Sequence, residues 1–286
     1  MLAGLSATPG LAEGPVEFLR NYRLEQKLDY FGGLSGLEFS ADGLSFVALS
    51  DSAVLFSGTV ERDDEGAVRS VALDGPGRAL RGPDGRDLTD PMDDSEGLAQ
   101  TADGALYISF ELENRVARFN ADGSWAEDLP RPREFYGLER NWGLEALAAA
   151  PDGSLYTLPE GDVSGVRSFP VYRYAEGQWK RAFTLPEDHT WRPVGADFDA
   201  QGRLYILERD FWGLIGFRTR LRQITFDGEK VLADRVLIET PAGRFENLEG
   251  LSIWQDAAGR IHATMVSDDN FVFTQHTQFV DYRIND

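Results

Sequence analysis

The chain has 286 residues, 42% of them hydrophobic and 27% charged, with a formal charge of −20, no cysteine and three histidines. This is the balance of an ordinary globular protein, and no stretch reaches the roughly 18 consecutive apolar residues of a membrane span, so membrane insertion is not expected. Without cysteine there are no disulfides, thiolate nucleophiles, zinc–thiolate sites or iron–sulfur clusters, and an acidic chain lacks the basic footprint of a nucleic-acid partner. Its chemistry must be built from oxygen ligands.

Residues 1–14 are small and mildly apolar as far as Ala12, then turn polar at Glu13-Gly14. They read as the remnant of a secretory signal or as a disordered tail, which points to a periplasmic or secreted protein. The stretch 16–25 (VEFLRNYRLE) reads as a strand that belongs to no repeat.

From there the chain repeats itself. Five segments, 35–51, 96–111, 145–160, 194–208 and 249–268, each read as a short apolar strand, a turn centred on Asp-Gly or a relative, and a second strand rich in Tyr, Leu, Ile and Val. The Gly or Ala after each opening residue stands at 36, 97, 146, 195 and 250, giving spacings of 61, 49, 49 and 55. Glycine accepts φ > 0 at such turns without steric cost. A second hairpin follows in the first four repeats, with turns at 63–66, 122–123, 176–177 and 227–228. The pattern predicts an all-β fold, a β-propeller of five four-stranded blades (strands A to D), or six if a long connection hides a degenerate blade. The last repeat has only three strands, ending with 278–284, and the strand at 16–25 supplies the fourth. Pairing the two terminal strands closes the ring and hides both edges. Residues 15–286 are thus expected to form one propeller domain.

The tight hairpins lie on one face of such a disc. The other face gathers the start of strand A, the end of strand B and the longer connections 75–94, 130–141 and 210–218, where binding function usually sits. At the starts of strand A stand Ser35, Glu96, Glu145, Val194 and Glu249, and at the ends of strand B stand Asp51, Glu111, Glu160, Glu208 and Asp268, with Asp269 and Asn270 beyond. Strand A is innermost, so eight carboxylates are expected to converge at the channel mouth, where mutual repulsion demands protonation or a bound cation. An all-oxygen set of this size suits Ca²⁺ better than Mg²⁺. The expected metal ligands are Glu96, Glu145, Glu249, Asp51 and Asp268, with Asn270 as a neutral donor. The turn residues Asp42, Asp103, Asp122, Asp152 and Asp227 are expected only to form turns.

For catalysis the candidates are Glu111 and Glu208 as proton acceptors, Arg209 or Arg115 to stabilise developing negative charge, and His189 in the connection before blade 4. No Gly-x-Ser-x-Gly elbow is present, which disfavours a serine esterase. The aromatics Trp142, Trp191, Phe211 and Trp212 fall in the same face's loops, or between blades.

The strings Gly33-Leu-Ser-Gly-Leu, Asp94-Ser-Glu-Gly-Leu, Leu207-Glu-Arg, Asn247-Leu-Glu-Gly-Leu and Ser267-Asp-Asp-Asn-Phe, with Gln275-His-Thr after it, resemble the esterase-like phytase family of bacterial propellers. The likeness runs from about residue 30 to the C-terminus. It implies an exported bacterial propeller that hydrolyses phosphomonoesters or esters. His276 stands where members tend to have Arg, and Val194 leaves one blade without a polar opening residue. The expectation is a calcium-dependent hydrolase of an ester, lactone or phosphoester, acting as a monomer on a small molecule. The alternative is a non-catalytic propeller that binds a ligand or partner protein, with a structural Ca²⁺. Phytate itself fits poorly, since a hexaphosphate wants a cationic pocket.

Overall fold

The computed structural model describes residues 14–24, 31–138, 142–161, 168–188, 190–272 and 275–285. The signal-like segment 1–13 and His189 lie outside the described residues. The chain opens with β1 (Val16–Arg23), then lays down blade 1 as β2 (Leu34–Phe39), β3 (Ser45–Ser50), β4 (Val54–Arg62) and β5 (Val68–Leu73), with the short β6 (Arg78–Ala79) paired to β4. Blade 2 is β7 (Ser95–Gln100), β8 (Leu106–Phe110), β9 (Arg115–Phe119) and β10 (Trp125–Asp128). Blade 3 is β11 (Leu144–Ala149), β12 (Leu155–Pro159), β13 (Ser168–Ala175) and β14 (Gln178–Pro186). Blade 4 is β15 (Arg192–Phe198), β16 (Leu204–Phe211), β17 (Phe217–Asp227) and β18 (Lys230–Glu239). Blade 5 is β19 (Asn247–Gln255), β20 (Ile261–Asp268) and β21 (Gln278–Ile284), completed by β1 on the outside.

Five blades are present, and the ends of the chain close the ring. Val16 stands opposite Ile284 and Arg23 opposite Gln278, and the Asn285 amide donates to the Pro15 carbonyl at 3.0 Å. The inner strands β2, β7, β11, β15 and β19 neighbour one another in a closed circle. Each blade packs on the next through its own apolar cluster. Leu49, Leu55 and Leu80 meet Leu98, Ile108 and Phe110 between blades 1 and 2, and Phe39 and Phe46 meet Trp254, Val266 and Phe279 between blades 5 and 1. Burial of each such Leu or Phe is worth about 1.5–3 kcal/mol. Every residue of β2 is buried, because an inner strand is covered on both faces.

The A–B turns carry the expected glycines at positive φ, Gly43, Gly104, Gly153, Gly202 and Gly259, with φ between 69° and 83°. Asp42, Asp103 and Asp152 each accept the amide two residues on, at 2.9–3.3 Å, and serve as turn formers. The connection expected over 210–218 is shorter than its sequence suggests. Strands β16 and β17 run on to Phe211 and Phe217 and leave only a 3₁₀ turn at Gly213–Ile215.

Candidate functional site: a carboxylate mouth with one arginine

A register break at the same point of every inner strand shapes the mouth. Pairing between strands A and B shifts at Leu34/Gly36, Ser95/Leu98, Leu144/Ala146, Pro193/Gly195 and Leu248/Gly250. Within these breaks fall Ser35, Glu96, Glu145, Val194 and Glu249, and a bulge re-aims the residue it leaves unpaired. The glycine that follows lets inner strands approach closely. A Cβ on Gly97 would lie 2.5 Å from the Glu145 carbonyl, and one on Gly195 would lie 2.4 Å from that of Glu249.

The same pairing fixes the strand-B positions. Leu34, Ser95, Leu144, Pro193 and Leu248 stand opposite Ser50, Phe110, Pro159, Glu208 and Ser267. The residues next along, Asp51, Glu111, Glu160, Arg209 and Asp268, are therefore equivalent and occupy the mouth. Glu208 is one position short, and a one-residue step sends a strand side chain to the opposite face. Both of its oxygens are held by arginines, at 2.5 Å from Arg220 Nε and 2.9 Å from Arg222 Nη1, and it is fully buried. Glu208, expected as a catalytic acid, thus stands in a buried ion pair instead of at the mouth. Seven of the eight expected carboxylates belong to the mouth, and Arg209 takes the strand-end position expected for the eighth.

Arg209 divides the mouth in two. Its guanidinium pairs with Glu249, donates to Glu160 Oε1 at 3.1 Å and to Asn247 Oδ1 at 3.2 Å, and so ties blade 4 to blades 3 and 5. Burial works against its charge, but Glu249, Glu145 and Glu160 outweigh that and hold it protonated. Asn247 in turn donates to Glu249 Oε1 at 2.9 Å and Asp268 Oδ2 at 3.4 Å. Burial, with Glu249 adding to it, pushes Asp268 up to about 7. Glu145 is driven well above its usual range by burial and by Glu160.

On the blade-2 side, Asp94, Glu96 and Glu111 offer ligand oxygens that all lie within 4.8 Å of one another. Among the described residues no arginine or lysine forms an ion pair with any of the three. Burial, then the charges of Glu145, Glu249, Glu111 and Asp94, raises Glu96 well above the carboxylate range. Burial pushes Glu111 up to about 7 although it accepts the Gly143 amide at 3.0 Å. Asp51 and Asp94 are raised too, chiefly by burial. Three half-buried carboxylates without an ion-pair partner among the described residues could hold a cation, and an all-oxygen donor set favours a hard one.

The remaining sequence candidates lie elsewhere. Asn270 is exposed in a turn at φ 48°, with its amide donating to Gln275 Oε1 at 3.0 Å, and only its backbone touches the mouth, donating to Asp268 at 2.6 Å. Arg115 is buried over the Phe110 ring at 3.8 Å and donates to the Met92 carbonyl at 3.1 Å, away from the mouth. Trp191 is core, stacked by Arg218 and Arg220, whereas Phe211 and Trp212 are exposed. Sequence reasoning missed Asp94 and Asn247. Both stand three residues before the repeat glycine, inside the strings DSEGL and NLEGL, so the signal was present.

Below the mouth the axis is shut. The cavity lined by Ser35, Gly97, Val194, Gly195 and Glu249 measures about 10 Å³, barely room for one water. At the far end, free amides of the inner strands are capped by the neighbouring blade's side chains. Gln100 N donates to Glu38 at 3.1 Å, Ile253 N to Asp197 at 2.5 Å and Phe39 N to Ser252 at 2.9 Å. Burial, and then Asp197, raises Glu38 well above its usual range.

Solved structures share the architecture at low identity. The PQQ-bound aldose sugar dehydrogenase of Streptomyces coelicolor is 14% identical, with a TM-score of 0.54 over 96% of this chain and 99% of that one. The virginiamycin B lyase of Staphylococcus aureus is 11% identical, with a TM-score of 0.47 over 94% and 100%. The gluconolactonase of Xanthomonas campestris is 15% identical, with a TM-score of 0.44 over 87% and 72%. The first of these establishes the propeller fold and nothing about chemistry. No curated protein matches the sequence. The family model described as phytase-like, with esterase-like activity of phytase, matches residues 29–271, and the chain belongs to that family.

Proposed function

We propose that this protein is a calcium-dependent hydrolase of a small ester, lactone or phosphoester, with its reaction centre at the carboxylate mouth. The observation that carries this reading is the triad Asp94, Glu96 and Glu111, three acids with converging oxygens and no ion-pair partner among the described residues, in a member of the phytase-like family. These residues would hold the ion, with Glu145 and Asp51 beside them. A bound cation supplies Lewis-acid polarisation of a carbonyl or phosphoryl oxygen. Asp268, which changes protonation near neutral pH, takes a proton from the attacking water, and Asn247 fixes the carboxylates around it. Arg209 pairs with Glu249 and Glu160 and holds the two side chains in place, and its partly exposed guanidinium gives an anionic substrate group a positive contact. The periplasmic or secreted location expected from the sequence is part of the same proposal.

The test is turnover of p-nitrophenyl esters, p-nitrophenyl phosphate, simple lactones and phytate, first in EDTA and then with added Ca²⁺. Calcium should restore activity to the wild type, and Glu96→Gln should lose both activity, by roughly 100-fold or more, and the calcium-induced rise in Tm. If Ca²⁺ raises Tm while no substrate is turned over, the ion is structural and the protein is a binding module.

A further inference from the structure

Beyond the acidic mouth, the same face carries an apolar finger. Residues 211–217 (FWGLIGF) form the tip of the β16–β17 hairpin, starting two residues beyond Arg209. Phe211 is 65% exposed, Trp212 51%, Ile215 62%, and Leu214 is as exposed as in an open chain, at 109%. No residue of the segment is charged, and the charges that bracket it, Asp210 and Arg218, pair with each other at 3.4 Å. In blade 5, the corresponding loop exposes Phe271 and Val272 on the same face.

The finger is a built element. Trp212 N donates to the Gly216 carbonyl at 2.9 Å, and Trp212 Nε1 donates to Asp210 Oδ2 at 2.7 Å. The Phe211 and Phe217 rings lie 4.9 Å apart, and Gly243 N donates to the Phe217 carbonyl at 3.0 Å. Gly243, at φ 74°, lies so close that a Cβ there would stand 2.6 Å from the Ile215 carbonyl. A large apolar group held rigidly in water marks a contact surface rather than a fluctuation.

We infer that this finger docks the protein on a neutral or zwitterionic lipid–water interface, with Leu214 and Ile215 entering the acyl boundary and Trp212 and Phe211 at headgroup level. Aliphatic residues at the tip with aromatics behind them follow the polarity gradient of that interface. The charge of the chain selects the occupant. A second copy would bring another −20, and four side chains fall far short of the roughly 800 Å² per partner of a stable protein interface. An anionic bilayer would repel the chain, whereas an uncharged surface fits an uncharged tip. A peptide finds no footing either, since β16 and β17 are paired on both sides and the tip is convex. Such shallow docking needs no membrane span, and no helix among the described residues is long and apolar enough to cross a membrane.

The test is sedimentation of the full chain with phosphatidylcholine vesicles, with and without EDTA, against the doubly substituted Leu214→Asp/Ile215→Asp chain. The wild type should pellet with the vesicles whether or not calcium is present, which separates docking from the proposed hydrolysis. The variant should bind roughly 100-fold more weakly with an unchanged Tm, because both positions are exposed. Adding phosphatidylserine should weaken wild-type binding. The inference is overturned if the wild type stays in the supernatant, if the variant pellets equally well, or if light scattering shows a dimer that the two substitutions abolish while vesicles capture nothing.

Discussion

The two halves of the mouth solve the same electrostatic problem differently. On the side of blades 3 to 5, Glu160 and Glu249 share the guanidinium of Arg209, and Asn247 bridges Glu249 to Asp268. On the blade-2 side, Asp94, Glu96 and Glu111 face one another with no such ion-pair partner among the described residues. The first half carries its positive charge in the sequence and is complete as the chain folds. The second is left to a proton or an ion, and therefore responds to solution conditions. Among the described residues, a fivefold repeat thus gathers one cluster of three acids without an ion-pair partner.

The sharpest break of this comparison uses an acid that belongs to neither half. Glu208→Gln should cost about 3 kcal/mol of stability, because Arg220 and Arg222 would remain buried against a neutral amide. Calcium affinity and turnover of the folded variant should match wild type. Lost turnover at a native Tm would return Glu208 to the site. Arg209→Met comes next. It should destabilise the calcium-free protein by about 2 kcal/mol, discounted for the partial exposure of Arg209, and should raise the number of calcium ions bound in a calorimetric titration. Unchanged stoichiometry would mean that the arginine half cannot become a seat.

The smallest effect is the pH dependence of the calcium-free protein. Glu111 and Asp268 sit near 7 when folded, against ordinary values of 4.5 and 3.8, and Glu96 and Glu145 are also raised. The folded state then holds more protons than the unfolded one between roughly pH 4 and 7, so stability should fall as pH rises through that window. Saturating calcium should flatten the slope contributed by this cluster of three acids, while that from buried Glu38 at the opposite end should persist. A Tm that climbs with pH over this range in EDTA would contradict the assignment.

Much of the fold was legible because each blade repeats a local signal. Asp-Gly turns, alternating strands and an orphan strand at 16–25 were enough to place the blades and their closure, and the paired strand ends two residues earlier, at Arg23. The site was legible only to within one residue. Leu106, Leu155 and Leu204 each precede a Tyr, and counting five residues on from each reaches Glu111, Glu160 and Arg209. A preference for carboxylates selects Glu208 instead, and periodicity alone cannot reveal that error, because neighbouring strand residues face opposite ways. The bulges that turn Glu96, Glu145 and Glu249 inward leave no sequence mark except the small residue after them. Asp94 was marked by the DSEGL string, but that its oxygen comes within 4.8 Å of those of Glu96 and Glu111 is a spatial fact that spacing does not give.

The plugged axis has a kinetic corollary. With barely a water's volume beneath the acids, nothing can pass from one side of the disc to the other, and arrivals and departures must share a single doorway. If the proposed hydrolysis takes place at the mouth, the acid or phosphate it releases leaves by the side on which the next molecule arrives. On that reading, turnover should slow as that leaving species accumulates, in direct competition with the starting material.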